Sequence, residues 1–335
     1  MADRLDADYM GRAIDAAEDA RLVASPNPWV GAAIVSGTSV FTGATSQPGG
    51  PHAEINAIAA AGDAARGAVL YSTLEPCNHH GRTGPCTDAI VAAGIRRVVV
   101  ALTDPDPLVA GAGIAALRSA GVEVEVGVGA ARVERQLLPY LHHRRTGRPY
   151  VVLKLAATLD GFTAAPDRSS QWITGPEARA DGHRLRAESD AILVGAGTIR
   201  ADDPALTVRD FAPVGVEGGE IQPMRVVLGA AGSDAKAQPL VEVSGELDDV
   251  LADLAGRGVL QLLVEGGATV AGEFHRQGLV DRYVVYMAPA FFGGDDARPL
   301  FSGAGAATID DVWRGEIVDV RRIGVDVRIE LRPRR

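Results

Sequence analysis

Hydrophobic and polar positions along the chain follow two periods, and the switches between them mark out elements. Residues 6–24 are Ala-rich with apolar positions at helical spacing and predict a helix, which Ser25-Pro26-Asn27-Pro28 breaks. Apolar runs at 30–35 and 40–45 flank Ser36-Gly37-Thr38 and predict a strand hairpin. Residues 51–61 predict a helix with Pro51 in its first turn, where the missing N–H does no harm. A strand at 68–73, a helix at 86–93 ended by Gly94, and a buried-type strand at 97–102 follow. A helix at 113–120, a strand at 122–126 and a basic helix at 132–145 complete the first half. Strands alternating with helices imply an α/β sheet covered on both faces.

Thr146-Gly147-Arg148-Pro149 reads as a linker, so two domains are expected, 1–147 and 148–335. The second opens with an apolar strand at 150–157 and continues with strands at 191–194, 225–228, 260–264 and 282–287. Runs at 317–323 and 325–331 around Gly324 predict a closing antiparallel pair. The second domain is therefore also α/β, with antiparallel strands in its sheet. No internal repeat or low-complexity tract interrupts either half.

The 335 residues are 47% hydrophobic and 23% charged, a globular composition, and Gly and Pro follow no fibrous repeat. A formal charge of -10 argues against nonspecific nucleic-acid binding, which needs a basic surface. No apolar run approaches a membrane span, and residues 1–8 lack the basic-then-apolar pattern of a signal peptide, so a cytoplasmic location is expected. The two cysteines, Cys77 and Cys86, are too few for a disulfide framework. Lys154 is one of only two lysines, and among Val151, Val152, Leu153 and Leu155 it must snorkel or face a polar site.

The strongest chemical signal is Pro51-His52-Ala53-Glu54, then Glu75-Pro76-Cys77, then Pro85-Cys86. His-x-Glu followed by Pro-Cys and a second Cys is the signature of zinc-dependent nucleobase deaminases. One imidazole (His52) and two thiolates (Cys77, Cys86) hold one Zn²⁺ and leave a fourth position for water, while Glu54 is not a ligand but the proton carrier. Residues two apart on a helix point roughly 200° apart, so His52 and Glu54 share a site only off the helix N-terminus. Two bland readings stand beside this one. His79 or His80 would complete a closed structural zinc site, or the two Cys are ordinary buried thiols.

Residues 73–86, Thr-Leu-Glu-Pro-Cys-Asn-His-His-Gly-Arg-Thr-Gly-Pro-Cys, closely resemble the deaminase domain of the RibD family of bifunctional riboflavin-biosynthesis proteins. As in that family, eight residues separate the two Cys. Asn27-Pro28-Trp29-Val30-Gly31-Ala32 and residues 104–113 resemble further family segments. The resemblance implies a cytidine-deaminase-like α/β/α domain with one catalytic zinc and substrate contacts at Asn27, Arg82 and Asp104. Arg82 stands where the family usually has Lys, Gly84 replaces a usual Pro, and Asp106 replaces a usual Asn. An acid at Asp106 would repel a phosphate.

The resemblance continues through Lys154-Leu155-Ala156-Ala157-Thr158-Leu159-Asp160-Gly161, Ser170-Gln171-Trp172-Ile173-Thr174-Gly175, residues 201–209 and residues 264–272. It implies a dihydrofolate-reductase-like α/β domain using NADPH. The implied cofactor contacts are Ala156, Trp172, Thr198, Asp202, Ser233, Gly266 and Gly267. The implied reductase-substrate contacts are Lys154, Ser170, Arg186, Leu206, Arg209 and Glu265. On their own terms, Gly266 and Gly267 let backbone N–H groups approach a pyrophosphate at a helix N-terminus. Gly195-Ala196-Gly197-Thr198 is a second such turn, and neither is a Rossmann fingerprint. Arg186 and Arg209 suit a 5′-phosphate, although surface arginines are the plain alternative. Asp160 is a turn former or a pocket acid.

Together these features imply deamination of 2,5-diamino-6-ribosylamino-4(3H)-pyrimidinone 5′-phosphate, then NADPH reduction of its ribosyl side chain. The partners implied are this small phosphoribosyl pyrimidine and further copies of the chain, as a dimer or tetramer, with no nucleic acid or membrane. One departure stands out. A strand and its loop look to be missing near 229–246, which raises the alternative of an active deaminase fused to a degenerate reductase.

Overall fold

The computed structural model describes residues 2–79, 84–209, 211 and 222–334. They form two compact units that meet in sequence between Gly147 and Arg148. Among the described residues no helix is long and apolar enough to cross a membrane.

The first unit runs α1 (Ala2–Ala20), β1 (Gly31–Ser36), β2 (Ser39–Ala44), α2 (Ala53–Ala61), β3 (Val69–Leu74), α3 (Cys86–Ala92), β4 (Arg97–Leu102), α4 (Ala112–Ser119), β5 (Glu123–Val126), α5 (Ala130–Gln136) and α6 (Leu138–Thr146). Its sheet has the order β2-β1-β3-β4-β5. β1 is antiparallel to both neighbours, and β3, β4 and β5 are parallel. Met10, Ala13, Ile14 and Ala17 form the buried stripe of α1. A Cβ on Gly31 would lie 1.9 Å from the Ala13 carbonyl of α1. A Cβ on Gly43 would lie 2.4 Å from the Ala53 carbonyl at the start of α2. Gly43 pairs with Ala32, the neighbour of Gly31, so the two helices press on opposite faces of the sheet.

The sequence predicts one basic helix over 132–145, and the structure has two, α5 and α6, broken at Leu137. Pro139 is the reason. It sits in the first turn of α6, lacks an N–H, and its ring would clash inside a continuous helix.

The second unit runs β6 (Tyr150–Thr158), β7 (Phe162–Ala164), α7 (Pro176–Ala187), β8 (Ala191–Gly195), α8 (Ala196–Asp202), β9 (Met224–Leu228), β10 (Val241–Val243), α9 (Leu247–Gly256), β11 (Gln261–Val264), α10 (Ala268–Arg276), β12 (Arg282–Ala288), β13 (Arg298–Pro299), β14 (Gly315–Ile323) and β15 (Asp326–Pro333). The main sheet has the order β10-β9-β8-β11-β6-β12-β15-β14. The strands from β10 to β12 are parallel, and β15 and β14 add an antiparallel edge. β7 and β13 form a separate short pair. Alternation along β6 puts Val151, Leu153 and Leu155 into the apolar core with Leu251, Leu254 and Phe274. Lys154 and Ala156 fall on the other face and are half-buried.

The strand expected to be missing near 229–246 is present. β10 is only three residues long, yet it pairs in parallel with β9 at the sheet edge. Val-Glu-Val is too short to show a period, so the sequence hides it.

Candidate active sites

The first site lies off the N-terminus of α2. His52 is the cap residue in extended conformation, and Glu54 stands in the first turn. Gly43 lets this helix start sit directly against β2. Cys77 follows β3, and Cys86 opens α3 with its backbone N–H directed at the Cys77 sulfur, 3.5 Å away. His52 Nδ1 lies 3.5 Å from Cys77 Sγ and 3.3 Å from Cys86 Sγ. Ordinary Zn–N and Zn–S bonds in a tetrahedron would set these ligands roughly 3.5 Å apart, so the donor set fits zinc. Among the described residues this His/Cys/Cys trio is the cluster able to hold a metal. His79 stays outside the trio and lines the neighbouring cavity, while His80 and Arg82 lie outside the described residues.

Electrostatics distinguish the members. The Cys86 thiol bonded to it, then His52, hold Cys77 down to about 4. Its bond to Cys77 and burial push Cys86 up. Cys77 raises His52 against the effect of burial. Glu54 is 3% exposed, and burial raises its carboxyl above the ordinary range. The Cys86 sulfur lies 3.5 Å from Glu54 Oε2.

A cavity of about 310 Å³ opens beside the trio and is lined by Asn27, Glu54, Asp104, Asp106, Tyr140 and Arg144 among others. Asn27 and Asp104 thus share one cavity with the metal cluster. Asp104 accepts the Tyr140 hydroxyl on both oxygens at 3.1 Å, and burial raises its pKa. Tyr140 and Arg144 went unnoticed in the sequence because α6 reads only as a basic helix far along the chain. Glu75 is buried among three backbone N–H groups. Gly111 and Asp104 donate to Oε2 at 3.0 and 3.3 Å, and Ile114 to Oε1 at 3.1 Å. It thereby ties the start of α4 and the 104–111 loop to the strand end that precedes Cys77.

The second site lies at the carboxyl ends of the parallel strands. α8 and α10 start there behind Gly195 and Gly267, and neither start has a side-chain cap. A Cβ on Gly266 would lie 2.6 Å from Val270 Cβ, whereas one on Gly267 would meet only Thr198 Oγ1 at 3.6 Å. Close packing of α10 needs the first glycine, and the second keeps the turn open. Uncapped helix starts and an open glycine turn fit the phosphates of a dinucleotide.

Glu265, just after β11, is gripped by Arg186 of α7 through Nε at 2.9 Å and Nη2 at 2.7 Å. Arg186 Nη1 also donates to the Thr207 carbonyl at 2.9 Å. Burial opposes the charge of Glu265, but Arg186 and Lys154 outweigh it and hold the carboxyl below its usual value. Burial lowers Lys154, with Glu265 acting against it. The Lys154 Nζ sits 5.7 Å from the Tyr286 ring centroid. Lys154 and Arg186 therefore both act on Glu265, Lys154 by its charge and Arg186 by direct hydrogen bonds. Leu206, beside Thr207, is buried with φ of 52°, a conformation that costs a branched side chain energy.

The remaining residues are more open. Trp172 is 66% exposed beneath the Arg179 guanidinium. Arg209 is exposed, and its backbone N–H donates to His183 Nδ1 at 3.2 Å. Ser170 and Thr198 are half-buried, Asp202 and Ser233 exposed. Asp160 resolves as a loop tie, bonded to Thr158 Oγ1 and to the Gly293 N–H.

Fold and sites define a cytidine-deaminase-like unit with a zinc-type cluster followed by an α/β reductase unit. The family described as "Cytidine and deoxycytidylate deaminase zinc-binding region" matches residues 3–102, and "RibD C-terminal domain" matches residues 149–329. The chain is 39% identical to the riboflavin biosynthesis protein RibD of Bacillus amyloliquefaciens, over 97% of this chain and 96% of that one. It is similar to the solved RibD of Acinetobacter baumannii (TM-score 0.94, 36% identity, 99% and 100% of the chains). A Thermotoga maritima structure is described as a diaminohydroxyphosphoribosylaminopyrimidine deaminase/5-amino-6-(5-phosphoribosylamino)uracil reductase. It gives a TM-score of 0.90 at 32% identity over 100% of both chains. The chain belongs to the RibD family of riboflavin-biosynthesis proteins.

Proposed function

We infer that this chain carries out two successive steps of riboflavin biosynthesis, a hydrolytic deamination followed by a reduction. The observation that carries the reading is the pairing, in one chain of this family, of the His52/Cys77/Cys86 trio and Glu54 with the Lys154–Glu265–Arg186 group.

In the first step the substrate is 2,5-diamino-6-ribosylamino-4(3H)-pyrimidinone 5′-phosphate. Water oxygen bonds to ring C2, the exocyclic C–N bond breaks, and ammonia leaves. His52, Cys77 and Cys86 would hold zinc, which when bound favours ionisation of a water near neutral pH. Glu54 takes one proton from the water and passes it to the ring nitrogen, then takes the second from the new C2 hydroxyl and passes it to the amine, which departs as ammonia. Its raised pKa suits a group that must both accept and donate. Asn27 and Asp104 orient the pyrimidine, and Arg82 meets the phosphate.

In the second step the C1′–O4′ bond of the ribosyl group breaks, C1′ gains a hydride, which NADPH would supply when bound, and O4′ gains a proton. Gly266 and Gly267 with Thr198, Asp202, Ser233, Ala156 and Trp172 would hold the cofactor. Lys154, Glu265 and Ser170 hold the sugar with Leu206, Arg209 meets the phosphate, and Arg186 holds the Glu265 carboxylate in place. Positioning dominates this step, because hydride transfer needs alignment more than acid–base help. The present β10 supports a complete reductase sheet. The reading includes a homo-oligomer.

The test is a coupled assay on zinc-loaded protein with ammonia release and NADPH oxidation followed separately. Both signals are expected. No ammonia would sink the deaminase reading, and ammonia without NADPH oxidation would sink the reductase reading.

A further inference from the structure

We propose that Arg144 determines the specificity of the deaminase site for a phosphorylated substrate, with Asp106 positioning it to receive the phosphate. The inference rests on the deaminase reading above and adds a residue to it.

Four carboxylates line the cavity beside the metal cluster: Glu54, Glu75, Asp104 and Asp106. Arg144 is the one Arg or Lys among its described lining residues. A phosphate ester entering such a place needs a cation and needs the nearby acids neutralised or bonded. The structure meets both needs. Glu75 is bonded to backbone N–H groups, and Asp104 to the Tyr140 hydroxyl and the Asp106 N–H. Asp106 uses Oδ1 to accept the Leu108 N–H at 3.0 Å and turns Oδ2 to Arg144 Nε at 3.2 Å. The repulsion that an acid at this position would exert is thus cancelled inside the protein.

The same contacts fix the guanidinium. Asp106 pairs with it as an ion pair across 3.2 Å at Nε, without a hydrogen bond there, and the Tyr140 ring lies against it with its centroid 5.1 Å from Arg144 Cζ. The side chain remains 30% exposed, so solvent and ligand reach it. An Arg paired with an acid on one side and stacked on a ring on the other can present its terminal nitrogens as a fork, the geometry that binds phosphate through two hydrogen bonds. Leu137 and Pro139 set the register, because the helix break starts α6 where Tyr140 and Arg144, one turn apart, face the cavity together.

Ammonia release is measured for wild type, R144A, R144K and the double variant D106N/R144M. Each is given the phosphorylated substrate and its dephosphorylated nucleoside, with zinc content and thermal melting followed in parallel. R144A should raise KM for the phosphate ester at least about tenfold, the loss of a charged hydrogen bond, with kcat within about twofold. The nucleoside should not distinguish R144A from wild type. R144K should recover part of the loss, and D106N/R144M should behave like R144A. Unchanged KM in R144A, or equal losses on both substrates, would overturn the proposal. Wild-type KM in D106N/R144M would also overturn it, because Arg144 would then serve only to neutralise Asp106. If R144A does not fold, R144K against D106N/R144M decides the same question. Wild type that releases no ammonia from either substrate would overturn the deaminase reading itself, and the inference with it.

Discussion

Arg186 and Glu265 join α7 to the end of β11 by two parallel hydrogen bonds of 2.9 and 2.7 Å. Removing the guanidinium strands a carboxylate that is almost buried. R186A should therefore lower stability by about 3 kcal/mol and abolish NADPH oxidation. R186M/E265Q should recover most of the stability in urea unfolding without recovering reduction. A stable and active R186A would contradict the arrangement.

Glu54 lies beside Cys86 but is not among the clustered metal ligands. E54Q should cut ammonia release by about 10²- to 10⁴-fold. Zinc content by atomic absorption should match wild type, and reduction of the deaminated intermediate should be untouched. Loss of zinc in E54Q would show that Glu54 supports the metal directly.

Gly43 has no room for a methyl group, since its Cβ would lie 2.4 Å from both the Ala53 carbonyl and the Ala57 nitrogen. G43A should displace the start of α2, and with it His52 and Glu54. Weakened zinc retention against a chelator is the expected sign. G37A changes a turn with open space around its Cβ position and should retain zinc like wild type.

Acid should weaken the first unit through Asp6. Arg97 binds both Asp6 oxygens, at 3.1 and 2.9 Å, and Tyr71 donates to Oδ1 at 2.6 Å. Arg97 is the main reason the Asp6 carboxyl lies below its usual value. The folded pKa is lowered, so the stabilisation is complete above the unfolded value of about 3.9 and is lost as pH falls through the folded one. D6N should be less stable than wild type near pH 7, and the difference should shrink at about pH 3. Urea midpoints at the two pH values measure this. An undiminished gap at low pH would exclude the ionised carboxylate as its source.

The metal trio was readable because its ligands come from short local patterns, His-x-Glu and Pro-Cys, whose residue types have few other uses. The hairpin of β1 and β2 and the closing pair of β14 and β15 were readable because period-two alternation brackets a turn. The break at Leu137 was not, because the basic pattern runs on past Pro139 and conceals a new helix start. β10 escaped because three residues carry no period. Tyr140 and Arg144 escaped for a different reason. Their meaning depends on a loop more than thirty residues earlier, and only the folded chain brings Asp104 and Asp106 to them. Arg186 looked free to take a phosphate, since nothing in its own segment discloses a carboxylate partner at Glu265.

The Glu75 carboxylate links the wall of the deaminase cavity to its metal end by accepting from backbone N–H groups. The loop bearing Asp104 and Asp106 therefore cannot reposition without breaking hydrogen bonds to a buried carboxylate. The cavity is organised before any ligand arrives. Little ordering entropy remains to be lost on binding, and affinity should depend on how well a ligand matches a fixed arrangement of polar groups. Discrimination among pyrimidines then comes from rejection by a rigid pocket, and a close analogue that lacks one polar group should bind poorly because the wall will not move to meet it.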